Sequence, residues 1–218
     1  MGSVVSVNLA VPRPDRSDAR SLTGIDKHPT GETVRVFAPP EKGTGGVDGD
    51  QIFSKVHHGG RHQAVYAYAR EDLDDWAAEL GRPLRSGMFG ENVTTSGVDV
   101  TGALIGERWR LGAEVVLEVA VPRIPCQTFA AFMEEEGWVK RFTAKGRPGA
   151  YLRVVTPGAI RAGDPLTVVH RPDHDVTIGL TFRALTGSAE LLPRLLAADA
   201  LPEDLRETIL RRLDRQPS

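Results

Sequence analysis

The chain has 218 residues, 27 basic and 29 acidic side chains, a formal net charge of −2 and one cysteine. That length holds one large β-rich domain, or one domain with a small appendage. The balanced charge provides no global field for nucleic acid or an anionic membrane, so any anion site must be built locally. A single cysteine closes no intramolecular disulfide, and Arg13, Pro14 and Asp15 interrupt any leader-like apolar start, which makes a reducing, cytoplasmic setting the expectation. No stretch approaches the roughly 20 apolar residues that cross a bilayer, so a soluble protein is expected.

Val5, Val7 and Leu9 alternate with smaller or polar residues and predict an opening β-strand with one buried face. From Pro12 to Gly31, and again from Pro39 to Gly49, the density of Pro, Gly and polar residues predicts loops. Gln63 to Ala69 reads as a strand; Arg70 to Leu80 spaces Leu73, Trp76, Ala77 and Leu80 at helical intervals, with acids in the first turn. Glu107–Leu111 and Val115–Val121, separated by Gly112-Ala113, predict a hairpin, and Tyr151–Thr156 and Leu166–His170 add two strands. Many short strands and few helices suggest a β-barrel over residues 1–170. Beyond Pro172, Ile178–Leu185, Leu191–Leu196 and Leu205–Leu213 are leucine-rich with helical spacing, a small three-helix unit over 171–218. Such a unit is marginal alone, so it is expected to pack on the barrel or a partner subunit, and its leucines favour a homodimer.

Four segments carry candidate chemistry. In Pro122-Arg123-Ile124-Pro125-Cys126 the prolines constrain the backbone before the only thiol, and Arg123 brings positive charge near a sulfur that ligates soft metals as thiolate. Residue chemistry alone favours the other reading, a buried structural cysteine at a strand end. His57-His58-Gly59-Gly60 offers adjacent imidazoles that point to opposite faces of an extended chain, which argues against a zinc site, and glycines that let a backbone face an anion or simply make a turn. Phe89-Gly90-Glu91-Asn92 sets two polar side chains beside apolar ones, where they serve a ligand or cap a turn. Lys27, in Gly24-Ile25-Asp26-Lys27, is a phosphate contact or a solvated lysine, and Arg141, Arg147 and Arg153 carry the same two readings.

In order and spacing these motifs, with Gly49-Asp50, Ala64-Val65-Tyr66, Ile105-Gly106-Glu107, Arg141-Phe142, Gly146-Arg147 and Tyr151-Leu152-Arg153, resemble the MOSC-domain proteins, named for the C-terminal domain of molybdenum cofactor sulfurase, and in particular their bacterial YiiM-type branch. The resemblance covers about residues 4–170, with a tail like the branch's three-helix appendage. It implies a MOSC-type β-barrel with a few peripheral helices, molybdenum cofactor (Mo-molybdopterin) bound with Cys126 as metal ligand, and reduction of N-hydroxylated compounds such as 6-hydroxylaminopurine. By the same resemblance Lys27, His58, Gly59, Gly60, Phe89, Gly90, Glu91, Asn92, Arg123 and Arg147 surround the cofactor, and His57 or His58 joins Cys126 in catalysis as proton donor. With no flavin or iron–sulfur motif, electrons come from a separate reductase protein; a non-catalytic cofactor or sulfur carrier using Cys126 is the alternative. Arg61-His62-Gln63 departs from the branch's usual Pro-Asp-Lys-like stretch, which leaves the roles of Arg61 and His62 open, as do Ala150 and a tail without tryptophan.

Overall fold

The computed structural model describes residues 2–56 and 58–214. In chain order its elements are β1 (Gly2–Ala10), β2 (Arg13–Asp15), β3 (Asp18–Thr23), β4 (Lys27–Thr30), β5 (Val34–Val36), β6 (Val65–Ala69), α1 (Arg70–Leu80), β7 (Val93–Ser96), β8 (Arg108–Leu111) and β9 (Val115–Pro122). They continue as α2 (Gln127–Met133), α3 (Trp138–Lys145), β10 (Ala150–Thr156), β11 (Gly158–Ile160), β12 (Pro165–His170), α4 (Ile178–Thr186), α5 (Leu192–Leu195) and α6 (Glu203–Leu213). Hydrogen bonding in the order β12-β8-β9-β10-β6-β7-β1 and back to β12 closes a seven-stranded barrel, as expected for a mainly β chain with peripheral helices. Closure leaves no free edge in this ring. No helix among the described residues is long and apolar enough to cross a membrane.

Strand β1 closes the barrel and then outruns it. Gly2 and Ser3 pair with β12, while Val7 to Ala10 pair with β4, and β7 runs along the other edge. Between Val4 and Ser6 the register against β7 shifts, so Val5 is an extra residue in a bulge. Simple alternation therefore fails: Val4 and Val7 are buried, Val5 is 38% exposed, and Leu9 is only partly buried against the core.

The polar stretch expected to be loop from Pro12 to Gly31 instead holds β2, β3 and β4. Asp15 accepts hydrogen bonds from the Ser17 amide (2.8 Å) and hydroxyl (2.6 Å), which closes the β2–β3 turn. β4 forms because the overrunning half of β1 offers a backbone edge, a signal absent from side-chain periodicity. The segment from Pro39 to Gly49 is irregular, as expected.

Strand β6 is buried on both faces. Val65, Ala67 and Ala69 join the main apolar core, while Tyr66 and Tyr68 face a second cluster built of Trp76 from α1, Phe89, Phe129 from α2, Trp138 and Phe142 from α3, and Phe182 from α4. Phe89 lies at its centre, its ring 5.0 Å from Tyr68 and 5.2 Å from Phe129, in edge-on contacts. At the other end, Val176 just before α4, and Ile178, Leu195 and Ile209 of the C-terminal helices, belong to the same core as Trp109 and Leu117 of the barrel. Leu191, Leu196, Leu205 and Leu213 are partly covered against that core, leaving Leu210 as the exposed leucine of this unit.

The bulge makes a measurable prediction. Val4→Ala should lower stability by about 2 kcal/mol, from two lost methyl groups and the residual cavity. Val5→Ala, one position along, should change it by less than about 0.5 kcal/mol in the same urea denaturation series.

Candidate active-site cleft

The β2–β3 hairpin, the β3–β4 connection, the 45–64 segment, the 90–92 turn and the strand-to-helix corner after β9 meet around a cleft of about 760 Å³, partly open to solvent. Its lining includes Cys126, Arg123, Lys27, His58, Gly59, Gly90 and Asn92, so seven residues singled out in the sequence converge from four separate segments. Asp15, Asp50, Gln63, Tyr66, Thr128 and Tyr151 share the wall.

Cys126 occupies the N-cap position of α2, with extended backbone, and its carbonyl accepts from the Ala130 amide at 3.0 Å. It is half-buried, and Phe129 one turn on anchors the helix in the aromatic cluster. The thiol is thus fixed at a corner instead of being lost in a core. Arg123, only 5% exposed, is held beneath it: one guanidinium nitrogen donates to the Phe89 carbonyl, and the head lies 4.0 Å from the Phe129 ring centroid and 5.2 Å from that of Tyr66. Burial pulls its pKa down, but Tyr66, Tyr151 and Cys126 together hold it above the ordinary range, so the cation persists.

Opposite lies a buried polar knot centred on Asp50. Its carboxylate accepts from Lys27 Nζ at 2.5 Å, Asn92 Nδ2 at 2.8 Å and the Ala10 amide at 3.0 Å. Asn92 Oδ1 in turn accepts from the Tyr66 amide at 3.2 Å. Burial is the largest influence on Lys27 and lowers its pKa, opposed by Asp50. Lys27 therefore lines the cleft as half of an ion pair, not as the free cation a phosphate contact suggests. Asp50 itself stood in the sequence only as part of Gly49-Asp50; its role depends on a lysine 23 positions earlier.

Other expected site residues lie elsewhere. Glu91 does not line the cleft: fully buried, with its pKa raised by that burial, it accepts from the Gly87 and Phe89 amides (2.5 and 3.0 Å) and the Thr94 hydroxyl (2.9 Å), the turn-capping alternative. Phe89 is a packing residue behind Arg123. The Gly60 amide donates to the Thr44 carbonyl at 2.8 Å and is not available to an anion. Gly59 is on the wall with φ 78°, and a Cβ there would stand 2.7 Å from the Thr44 carbonyl, so a larger residue would push the loop away. Arg147 is remote from the cleft, paired with Asp72 and Asp75 of α1 at 3.0 and 2.9 Å. His57 lies outside the described residues. His62 accepts from Arg153 Nε at 2.7 Å, and burial with that neighbouring cation lowers its pKa, so it is a neutral structural acceptor. Arg61 opens a short helical turn with no place in the cleft lining. The other arginines weighed as anion contacts are also paired, Arg141 with Glu79 and Glu135, and Arg153 with Glu118.

The family model for the MOSC domain matches residues 54–167. The protein YflK of Bacillus subtilis is 31% identical over 217 residues, which cover 98% of this chain and 95% of YflK. A protein named Reductase from Gibberella moniliformis is 35% identical over 132 residues, covering 58% of this chain and 23% of that protein. The crystal structure of YiiM from Geobacillus stearothermophilus has a TM-score of 0.77 and 28% identity, over 98% of this chain and 100% of that one.

Asp50→Asn should destabilise the fold by about 3–5 kcal/mol, because it strands a buried ammonium. Adding Lys27→Met should recover part of the loss, read as a positive coupling in a double-mutant cycle by chemical denaturation.

Proposed function

Because the chain belongs to the MOSC domain family, with YiiM among its structural relatives, we propose that it binds the molybdenum cofactor through Cys126 and reduces N-hydroxylated compounds such as 6-hydroxylaminopurine. The observation that carries this reading is the placement of the only thiol on the wall of an open cleft, beside a buried and permanently charged guanidinium. The fungal relative named Reductase supports the direction of the chemistry.

The side chains present fit such a group. Cys126 offers a soft sulfur ligand at one side of the cleft, and Arg123 supplies fixed positive charge for an anionic ligand. Gln63 brings to the same cleft a buried Oε1 with no hydrogen-bond partner among the described residues, an acceptor suited to the N–H groups of a heterocycle. When bound, the cofactor supplies the two-electron oxygen-atom chemistry that side chains lack.

This chain's residues then bind, orient and deliver protons. Converting R–NH–OH to R–NH2 and water takes two electrons and two protons. In this reading a separate electron-donor protein supplies the electrons, since the single cysteine of this sequence does not hold a four-cysteine iron–sulfur cluster. On the same reading His58 on the cleft wall is the imidazole that passes protons. Tyr66 and Tyr151, with ring centroids 4.9 Å apart, form an aromatic wall for a flat base, and burial keeps both phenols protonated.

Produced in a host that makes the cofactor, the wild-type protein should retain molybdenum and reduce 6-hydroxylaminopurine when given an electron donor. Cys126→Ser should lose turnover by more than about 100-fold, beyond the cost of losing an outer hydrogen-bond partner of a metal ligand. Metal retained without turnover would favour a carrier, and no metal in either protein would remove the reading.

A further inference from the structure

A second cavity adjoins the cleft behind the β2–β3 hairpin. It is lined by Arg13, Arg16, Arg85, Asp26, Met88 and Phe132 among others, and it shares Asp15, Thr23 and Thr128 with the Cys126 cleft. A ligand lying across that shared wall reaches both spaces. The Thr128 hydroxyl donates to Asp15 at 2.8 Å across that wall and ties the hairpin to α2 just beyond the cysteine.

Formal charges in the second cavity balance, three arginines against Asp15, Asp26 and Glu134, but they are not equally available. Asp26 is fully buried and holds Arg85, whose other terminal nitrogen donates to the Lys27 and Ser86 carbonyls; that pair is part of the frame. Asp15 is occupied by the Ser17 amide and hydroxyl and by Thr128, and those bonds hold its pKa low despite burial. The exposed ions are Arg13 and Arg16, with side chains 51% and 58% exposed; Arg16 is paired with Glu134, itself 67% exposed, and such a surface pair opens at little cost when a ligand offers a better acceptor. Arg13 meets Asp26 through Nε, which leaves both terminal nitrogens of its fork for a second acceptor. Two exposed guanidiniums, over a floor in which Asp26 is met by Arg85 and the Asp15 oxygens are occupied by hydrogen bonds, make an oxyanion subsite.

We infer that this cavity receives a phosphate group on the substrate, so that the chain acts on N-hydroxylated nucleotides in preference to the matching nucleosides or free bases. The inference rests on the proposed function for the reaction, but not for the binding. The base lies in the Cys126 cleft against Tyr66 and Tyr151, and the phosphate lies beyond the Asp15–Thr128 wall, bidentate on Arg13 with Arg16 closing over it.

Calorimetric titration with AMP and with adenosine, both unreactive, separates the two ideas. AMP should bind at least about tenfold more tightly than adenosine, in keeping with one charge-assisted contact. That preference should shrink with added salt and vanish in Arg13→Gln/Arg16→Gln, whose exposed positions leave the fold, followed by thermal melting, intact. Equal binding of the two ligands, binding of neither, or a preference kept in the double variant overturns the inference. So does loss of bound molybdenum in that variant, which would assign the arginines to an anionic part of the cofactor. With an electron donor, the ratio of kcat/KM for N6-hydroxy-AMP over N6-hydroxyadenosine should exceed about ten in the wild type and fall toward one in the variant. AMP preference without molybdenum or turnover would sink the reductase and keep the subsite; turnover without phosphate preference would do the reverse.

Discussion

The site depends on one strand being longer than the barrel needs. A seven-stranded ring must be closed by backbone pairing on both edges of each strand, and β1 meets that requirement with its first residues against β12 and its length against β7. Its last four residues have no barrel partner on one edge and recruit β4. That pairing sets Lys27 opposite Ala10, and Asp50 then takes a hydrogen bond from each. The bulge at Val5 matters here because it twists the strand and lets Val4 and Val7 both face inward before the chain leaves the ring.

Charge in the cleft is handled in two ways, with different consequences. The Lys27–Asp50 pair is self-compensating: each ion answers the other, and Asn92 and the Ala10 amide fill the remaining acceptor positions of the carboxylate. Such a pair adds little net stability, but it fixes where the 45–64 segment lies on the barrel, since either ion alone would be costly to bury. Arg123 has no carboxylate partner among the described residues. It is stabilised by a carbonyl, two ring faces and the thiol beside it, which leaves a net positive charge where an anionic ligand can meet it. The uncompensated cation is therefore the electrostatic feature of the cleft, and the paired one is its scaffold.

Elements whose formation depends on a local pattern were readable in the sequence. Leu73 and Trp76 point α1 into the aromatic cluster at the expected spacing, and Gly112 separates β8 from β9 as a hairpin requires. Residues 13–30 were not readable, because β2 to β4 are made by backbone edges that a distant part of the chain offers. The same distinction divides the site. Cys126 was legible because the prolines before it constrain its corner, and Arg123 and Asn92, which line the same cleft, sit in recognisable motifs. Asp50 and Gln63 acquire their roles through partners and surroundings that no local spacing encodes. Arg147 misled for the opposite reason: a guanidinium near a motif says nothing of whether two aspartates on another helix already hold it.

The two walls of the cleft are held by forces of different character. Behind Cys126 and Arg123 lie Phe89, Phe129, Trp138 and Phe142, fully buried rings whose contacts are lost together or not at all. Across from them, the 45–64 segment and the β2–β3 hairpin are attached through Asp50, Asp15, Ser17 and Thr128, and through the exposed pair of Arg16 and Glu134. Hydrogen bonds and exposed ion pairs exchange for water at a small net cost, whereas opening an aromatic core exposes apolar surface in one step. The sulfur thus belongs to the rigid half of the site and the hairpin to the adjustable half. A ligand that needs room gains it by shifting Arg16 and the hairpin, with the thiol and the guanidinium beside it left in place.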